Sequence, residues 1–331
     1  MALLSTLASA TSLFRRKDDR FTAGTVWDIV LQGKENDGNG TVIPLAQLKA
    51  ATGAVLDIDF EDNDSELKKT KGWIKELAKT KTVVCYFSAG TYEPWREDQE
   101  LFKPADYRKK MDKWDKWWLD LKSANVKTII ETRNKRAAEA RCHAIDPDNI
   151  NSYSNDSKGK PHQDRFSYDN QVYIDYVRWL SATATKYNLS TGLKNALKIS
   201  NNALNVIEFA VNEQCHETDP NDKESNWDYP DYATFTQAGK AVFNIKYHND
   251  KNIYCKDPTD PPINLSTVLK PMGLDASVTG ALHLRDFFHA AGFEFDLVSE
   301  TGTYRADWLS TTKDWQHEED KKVRENDGDK F

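Results

Sequence analysis

The sequence predicts an α/β fold, and more narrowly a single-domain (β/α)8 barrel of the TIM type. Eight short apolar runs have the length of buried strands, and amphipathic segments lie between several of them. Strands that alternate with helices form parallel sheets with crossover connections, and eight such units close into a barrel. The chain has 331 residues, which is enough for one large barrel with additions.

The candidate strands are apolar runs that follow one another along most of the chain. They are VWDIVL (26–31), AVLDIDF (54–60), TVVCYFS (82–88), CHAIDPD (142–148), STGLKN (190–195), VIEFAVNE (206–213), AVFNIKY (241–247) and FEFDLV (293–298). Apolar residues spaced by three and four positions predict helices at 65–80, 123–140, 170–188 and 279–292. An open doubly wound sheet is the alternative, but no GxGxxG motif follows any of the strands to support it.

The two ends of the chain differ from its centre. Residues 1–22 are interpreted as a weak signal peptide or a disordered leader, because the basic residues follow the apolar stretch instead of preceding it. The barrel is expected over 23–300, and the charged tail 301–331 is expected to fray in water. No run of about eighteen apolar residues is present, so we expect no membrane partner.

The composition narrows the class of function. The formal net charge of −7 argues against a nucleic-acid binder, since phosphates are neutralised by a basic face. The same charge favours a cationic partner through the long-range field. The 10 Trp, 13 Tyr and 14 Phe residues are too many to leave in water, so the chain is folded.

The four cysteines permit one disulfide or none. Cys85 and Cys142 lie in apolar runs, where we interpret both as small buried hydrophobic residues. Cys215 and Cys255 lie in polar segments and could pair in an oxidising compartment.

Polar residues close the apolar runs, and a barrel of this kind places its working residues at the ends of its strands. Asp57 and Asp59 are two positions apart and share a strand face, as do Asp146 and Asp148. Carboxylates that converge at one mouth must bind a cation or differ in protonation state. Glycoside hydrolysis needs such a pair, although any single carboxylate could instead be a helix N-cap.

Metal and cofactor motifs are not found. The segment from Asp146 begins like a calcium loop, but its fifth and sixth positions are Ile150 and Asn151, where the sixth must be glycine. The cysteine and histidine spacing does not match a zinc finger, and there is no phosphate-binding loop. We therefore expect no metal and no cofactor.

Six segments in order resemble glycoside hydrolase family 114, the endo-α-1,4-polygalactosaminidases, a group that overlaps with spherulin-4-like fungal proteins. The segments are VVCYFSAGTYEPWR (83–96), WWLDL (117–121), AIDPDNINSYSN (144–155), GLKNAL (192–197), FAVNEQC (209–215) and GKAVFNIKY (239–247). The resemblance implies a (β/α)8 barrel that cleaves α-1,4-linked galactosamine-containing polysaccharide in endo fashion, with two carboxylates and no cofactor.

The resemblance also implies roles for individual residues. The aspartate of the PDN motif is Asp148, expected as the nucleophile or water-activating carboxylate, and the glutamate of the NEQC motif is Glu213, expected as the general acid. Residues expected to bind substrate are Asp59, Tyr86, Glu93, Arg96, Asp146, Asn149, Lys194, Asn195 and Tyr247.

Four positions depart from the family pattern. Asp146 and Asn151 stand where glutamate and aspartate are usual, and Asp28 stands where glutamine is common. Lys246 stands where a glutamate often precedes the tyrosine, and a lysine there would repel an amino sugar. The cysteine that often follows NEQC is missing, which leaves Cys255 as the substitute partner for Cys215.

The function predicted on this basis is an endo-acting glycosidase. Its partner is a polysaccharide, a cationic galactosamine polymer, and the protein is expected to be an extracellular monomer with no nucleic-acid or membrane partner. The alternative is a non-catalytic carbohydrate-binding barrel of the same fold. A metal-dependent hydrolase that uses Asp57, Asp59, Asp146 and Asp148 is a third hypothesis.

Overall fold

The computed structural model describes residues 18–31, 42–111, 114–153, 166–213, 229–247, 263–271 and 274. All of them belong to one compact unit of the chain, Met1–Leu284. The predicted division into a leader, a barrel and a tail stays a prediction, because most of the leader and all of the tail lie outside these residues.

A parallel sheet of eight strands dominates the described part of the chain and confirms the predicted barrel fold. The strands within the described ranges are β1 Trp27–Val30, β2 Val55–Asp59, β3 Thr82–Ser88, β4 Thr91–Tyr92, β5 Tyr107–Lys110, β6 Trp117–Leu119, β7 Ala144–Asp148, β8 Ser190–Lys194, β9 Phe209–Glu213, β10 Val242–Lys246 and β11 Ser266–Leu269. The eight-stranded sheet has the order β1-β2-β3-β7-β8-β9-β10-β11, and every neighbouring pair is parallel. The sheet is therefore a nearly closed barrel.

The first and last strands of this sheet meet through side-chain and backbone contacts. The Trp27 indole Nε1 donates a hydrogen bond to the Ser266 carbonyl at 2.7 Å, and Leu31 N donates to the Leu274 carbonyl at 2.9 Å. Lys270 Nζ lies 2.6 Å from Asp28 Oδ1. Asp28, one of the departures from the family pattern, thus forms an ion pair at the seam of the barrel.

The eighth strand is not where the sequence predicted it. The predicted strand 293–298 lies outside the described residues, and the eighth position of the sheet is occupied by Ser266–Leu269. This segment has only four residues, too few for a recognisable alternation. Its strand conformation depends on pairing with β10 and on contact with Trp27, which are both distant in sequence.

Helices and a second sheet surround the barrel strands. The described helices are α1 Leu45–Ala50, α2 Phe60–Asn63, α3 Trp73–Leu77, α4 Ala124–Glu139, α5 Asn170–Lys186, α6 Ser200–Ala203 and α7 Ala233–Gln237, with 3-10 turns at Gln99–Leu101, Leu197–Ile199 and Tyr229–Tyr232. The strands β4, β6 and β5 form a separate antiparallel sheet after β3.

The long predicted helices 123–140 and 170–188 correspond to α4 and α5, whereas the helix predicted over 65–80 is much shorter. Gly72 has φ 85° and precedes α3, and Lys69 also has positive φ, so the backbone leaves the helical conformation before Trp73. The helix predicted over 279–292 lies outside the described residues.

Apolar side chains fill the lower part of the barrel and also separate it from the helices. The inward-facing cluster includes Trp27, Val84, Phe209 and Phe243, and the indole of Trp27 stacks on Phe243 with ring centroids 4.6 Å apart. A larger cluster on the other face of the strands packs against the helices. This two-layer core is the arrangement expected for a filled (β/α)8 barrel.

The segment that precedes β1 closes the amino-terminal end of the barrel. Phe21 is 1% exposed, and its ring stacks on Phe209 with centroids 4.5 Å apart. Its carbonyl accepts a hydrogen bond from Ala241 N at 3.0 Å. This end of the predicted leader 1–22 therefore packs with the barrel.

Cys85 and Cys142 form a disulfide, which corrects their interpretation as unbridged buried hydrophobic residues. Their Cα atoms are 6.0 Å apart, and 57 positions separate them in sequence. Cys85 is on β3 and Cys142 lies just before β7, which is the neighbouring strand in the sheet. The suggested pair Cys215 and Cys255 lies outside the described residues.

Replacing Cys85 and Cys142 by serine should lower the free energy of unfolding by about 2–4 kcal/mol, because the bridge restricts a long loop of the unfolded chain. Urea denaturation of the wild type and the double variant, each with and without reductant, measures the change. Reductant should destabilise the wild type more than the double variant, which has lost the Cys85–Cys142 bridge. Equal stability of the double variant and the oxidised wild type would contradict a stabilising bridge.

Candidate active site

Polar side chains form the upper layer of the barrel interior, above the apolar cluster. On β2 and β7, inward positions change from Val55 and Ala144 at the start of the strand to aspartates at its end. Register places Asp146 opposite Tyr86 and Asp148 opposite Ser88 on the adjacent strand β3. Because side chains two positions apart share a face, Asp146 and Asp148 point to the same interior, as predicted.

Lys194, the last residue of β8, is the cation at the centre of this layer. It is 1% exposed, and its Nζ donates a hydrogen bond to Asp146 Oδ2 at 3.2 Å. The ammonium also lies 5.4 Å from the centroid of the Tyr86 ring. Burial lowers the pKa of Lys194, but the carboxylates of Asp146, Glu213, Asp148 and Asp57 outweigh burial and raise it well above its ordinary value.

The Asp148 carboxylate is held by a phenol. Tyr86 OH donates a hydrogen bond to Asp148 Oδ2 at 2.8 Å. Burial raises the pKa of Tyr86 and the negative charge of Asp148 raises it further, so the hydroxyl remains a donor. Tyr86 thus contacts Lys194 through its ring and Asp148 through its hydroxyl.

The Glu213 carboxylate has two donors, one for each oxygen. Asn195 Nδ2 donates to Glu213 Oε2 at 2.6 Å, and Tyr247 OH donates to Glu213 Oε1. Asn195 Oδ1 also accepts from the backbone N of Glu213 at 2.8 Å. Burial raises the pKa of Glu213, but the charge of Lys194 and these hydrogen bonds outweigh burial and lower it below its ordinary value of 4.5. Glu213 is therefore ionised in the free protein at neutral pH.

The carboxylates of Asp148 and Glu213 influence the same two neighbouring groups, the Lys194 ammonium and the Tyr247 hydroxyl. Both carboxylates raise the pKa of the single ammonium of Lys194, and both raise the pKa of Tyr247. They lie at the ends of β7 and β9, which flank β8 in the sheet. The predicted carboxylate pair therefore lies on either side of the strand that carries Lys194, and its catalytic role stays a prediction.

Three of the predicted substrate-binding residues form a buried ion network. Arg96 binds both Asp59 oxygens, with Nη1 to Oδ1 at 2.9 Å and Nη2 to Oδ2 at 2.7 Å. Its Nε donates to Glu93 Oε2 at 2.6 Å. Asp59 also accepts from Asp62 N at 2.9 Å as the N-cap of α2. Lys116 Nζ lies 3.7 Å from Glu93 Oε1 and supplies a second cation, and the role of these residues toward substrate stays a prediction.

Asn149 turns the chain sharply after β7. It contacts Lys116, which also lies near Glu93, and so connects the ion network to the mouth of the barrel. Its φ is 61°, in the left-handed region that asparagine tolerates. Its Oδ1 accepts from Lys116 Nζ at 2.8 Å and from Ser88 Oγ at 3.0 Å. A Cβ at Gly90 would lie 1.8 Å from the Asn149 carbonyl oxygen, so only glycine permits this approach.

The departures at 246 and 151 have structural explanations. Lys246 is fully buried and alternates with Ile245 and Tyr247, so its side chain is on the strand face opposite that of Tyr247. The expected repulsion of an amino sugar by Lys246 at the mouth is therefore wrong. Asn151 Nδ2 donates to the Asn195 carbonyl at 3.3 Å. It therefore supports the turn that contains Asn195, the residue whose amide donates to Glu213.

Two residues of the site were not among the predicted catalytic and substrate-binding residues, although Asp57 belonged to the metal-dependent hypothesis. Lys116 is 7% exposed and contacts Asn149, but it comes from the loop before β6, so only the fold brings it near β7. Asp57 is fully buried, and its interactions with Asp146 and Lys194 depend on closure of the barrel. The only signal in the sequence was the shared strand face of Asp57 and Asp59.

The four aspartates of the metal-dependent hypothesis do not form one open cluster. Asp59 is bound by Arg96, and Asp146 is bound by Lys194. In the part of the chain that the structure describes, no group of three or more His, Cys, Asp or Glu side chains has the arrangement of a metal site.

None of the helices in the described ranges has the length and apolar character needed to cross a bilayer.

Comparisons with known proteins agree with this architecture. A model of glycoside-hydrolase family GH114 matches residues 8–282. The crystal structure of Aspergillus fumigatus Ega3 in complex with galactosamine is 31% identical, with TM-score 0.62, and the match covers 80% of this chain and 98% of that one. The glycoside hydrolase domain of PelA from Pseudomonas aeruginosa is 11% identical, with TM-score 0.53, covering 77% and 97%, and shares the fold. No curated protein sequence matches significantly.

Removing the Tyr247 hydroxyl with Tyr247→Phe should raise the pKa of Glu213, because the carboxylate loses one of its two donors. A carbon-13 NMR titration of the Glu213 carboxyl measures this shift without any substrate. Tyr153→Phe is the matched control, since the buried Tyr153 hydroxyl has no hydrogen-bond partner among the described residues. An unchanged Glu213 titration in Tyr247→Phe would refute the assigned hydrogen bond.

Proposed function

The chain belongs to glycoside hydrolase family GH114, and from this premise we propose that it cleaves α-1,4-linked galactosamine-containing polysaccharides in endo fashion. The protein is a glycoside hydrolase with a (β/α)8 barrel. The structure of Ega3, which is 31% identical, holds galactosamine, and this supports the proposed sugar.

One observation supports the proposed mechanism more than any other: Asp148 and Glu213 end the strands on either side of β8, whose last residue is the buried Lys194. Hydrolysis of a glycosidic bond requires one carboxyl group that protonates the leaving oxygen and a second that attacks the sugar or activates water. We assign the acid to Glu213 and the nucleophile or water-activating carboxylate to Asp148. The Tyr86 hydrogen bond then orients the Asp148 carboxylate.

The ionisation of Glu213 sets the condition under which it acts as the acid. The free protein stabilises the Glu213 carboxylate, so a proton binds there only at acidic pH or after the substrate changes the hydrogen bonds. Because the pKa is lowered in the free protein, the protonated fraction grows as pH falls through a value below 4.5.

Charge and the disulfide support the remaining parts of the proposal. Deacetylated galactosamine polymers are polycations, and the net charge of −7 attracts them. The Cys85–Cys142 bridge supports an extracellular location, since disulfides persist in oxidising compartments.

The monomeric state stays a prediction. A carbohydrate-binding barrel without activity is not favoured, because both carboxylates of the proposed pair are present.

The proposed pair predicts that Asp148→Asn and Glu213→Gln each lower the release of oligosaccharides from partly deacetylated α-1,4-galactosaminogalactan by at least about a hundredfold. Mass spectrometry of the products measures this loss. Asp175→Asn and Glu131→Gln are matched controls, since both lie on exposed helix surfaces. Their activity should equal that of the wild type. Full activity in either mouth variant would refute the proposed pair.

The two roles predict different responses to the leaving group. A synthetic galactosaminide whose leaving group needs no protonation should restore most of the activity of Glu213→Gln, because only the acid has been removed. The same substrate should not restore Asp148→Asn. Initial rates on the activated and natural substrates test this, and the reverse pattern of rescue would exchange the two roles.

A further inference from the structure

Asp57 is a buried carboxyl group that the proposed mechanism does not use. It is the third residue of β2, has no exposed surface, and shares its strand face with Val55 and Asp59. Neither of its carboxyl oxygens accepts a hydrogen bond from a donor in the described ranges. Burying an ionised carboxylate without donors is very unfavourable. The barrel must therefore accommodate Asp57 in another state.

Asp146 has the acceptor that a protonated Asp57 requires. Asp146 is also fully buried, and its Oδ2 accepts from Lys194 Nζ at 3.2 Å. Its other oxygen, Oδ1, is buried with no donor among the described residues. Both inward side chains lie on strands that flank β3, with Asp57 opposite Val84 and Asp146 opposite Tyr86. The charge of Asp146 raises the pKa of Asp57. Two ionised carboxylates have no donor to share, whereas one added proton makes Asp57 the donor that Asp146 Oδ1 lacks.

Lys194 decides which aspartate holds the proton. Its contact with Asp146 stabilises the ionised form of that residue. Burial raises the pKa of Asp57, the negative charge of Asp146 raises it further, and the more distant Lys194 offsets only part of this. Burial and the charge of Asp148 also raise the pKa of Asp146, but Lys194 and a hydrogen bond from Asp57 offset part of this rise, so the pKa of Asp146 is raised less than that of Asp57. The proton therefore belongs to Asp57.

We propose that Asp57 is a neutral carboxylic acid that donates a hydrogen bond to Asp146 Oδ1 and so holds Asp146 and Lys194 beneath the two proposed catalytic carboxylates. It is a positioning residue that acts through Asp146. With Asp57 neutral, the Lys194 ammonium has one ionised aspartate at contact distance, and its field also acts on Asp148 and Glu213. The effect on turnover rests on the proposed function, whereas the protonation of Asp57 does not.

The protonation state is tested by infrared spectroscopy at pH 7, which detects the C=O stretch of a protonated carboxylic acid. The difference spectrum between wild type and Asp57→Asn should contain this band, and the difference between wild type and the exposed control Asp175→Asn should not. Absence of the band from the first difference spectrum would overturn the proposal.

The positioning role is tested by two substitutions with opposite expectations. Asp57→Asn keeps a neutral donor to Asp146 and should retain kcat within about threefold, with an unchanged pH profile. Asp57→Ala leaves Asp146 Oδ1 without a donor and should lower kcat by about tenfold with little change in KM. Loss of activity in Asp57→Asn as complete as in Asp148→Asn would overturn the proposal, because the charge of Asp57 would then be required.

Circular dichroism and thermal unfolding identify variants that fail to fold. If Asp57→Ala does not fold, the Asp57→Asn kinetics and the infrared spectrum still decide the proposal. If the wild type shows no turnover of galactosaminogalactan, the proposed function fails, and the infrared result still decides the state of Asp57.

Discussion

The buried ammonium of Lys194 is the interaction on which the mouth of the barrel depends. Carboxyl groups within a low-dielectric interior take up protons unless a cation offsets their mutual repulsion. Lys194 is 1% exposed, contacts Asp146, and acts on Asp148 and Glu213 at the ends of the neighbouring strands. A single side chain on β8 thus allows an acidic site to be assembled in a filled barrel.

The polar layer separates carboxyl groups into different states by giving each a different set of partners. Asp57 has another carboxyl group as its neighbour, while Asp146 has a lysine. Asp148 has one phenol donor, and Glu213 has a phenol and an amide. Environments that push pKa values apart are typical of sites in which carboxyl groups do different chemistry. The ion network around Arg96 binds Asp59 and Glu93 beside the mouth.

Local patterns in the sequence were sufficient for seven strands and two long helices, because each rests on periodicity. The pair Asp148 and Glu213 came from the family resemblance, and its catalytic role stays a prediction. Long-range contacts explain what was missed. Strand β11 is defined by its pairing with β10, and the Cys85–Cys142 bridge forms only when β3 lies beside β7. The partnership of Asp57 with Asp146 crosses the barrel interior, so no spacing in the sequence indicates it. The burial of Lys246 follows from strand parity, but only once β10 is placed in the closed sheet.

The central claim is that the charge of Lys194 controls the ionisation of the mouth. Its most direct test is a carbon-13 NMR titration of the Glu213 carboxyl in the Lys194→Met protein, with folding verified by circular dichroism. Methionine keeps much of the volume and removes the ammonium, so the pKa of Glu213 should rise clearly above its wild-type value, because burial raises it and the lowering charge of Lys194 is gone. A Glu213 pKa that is unchanged in this variant would contradict the account.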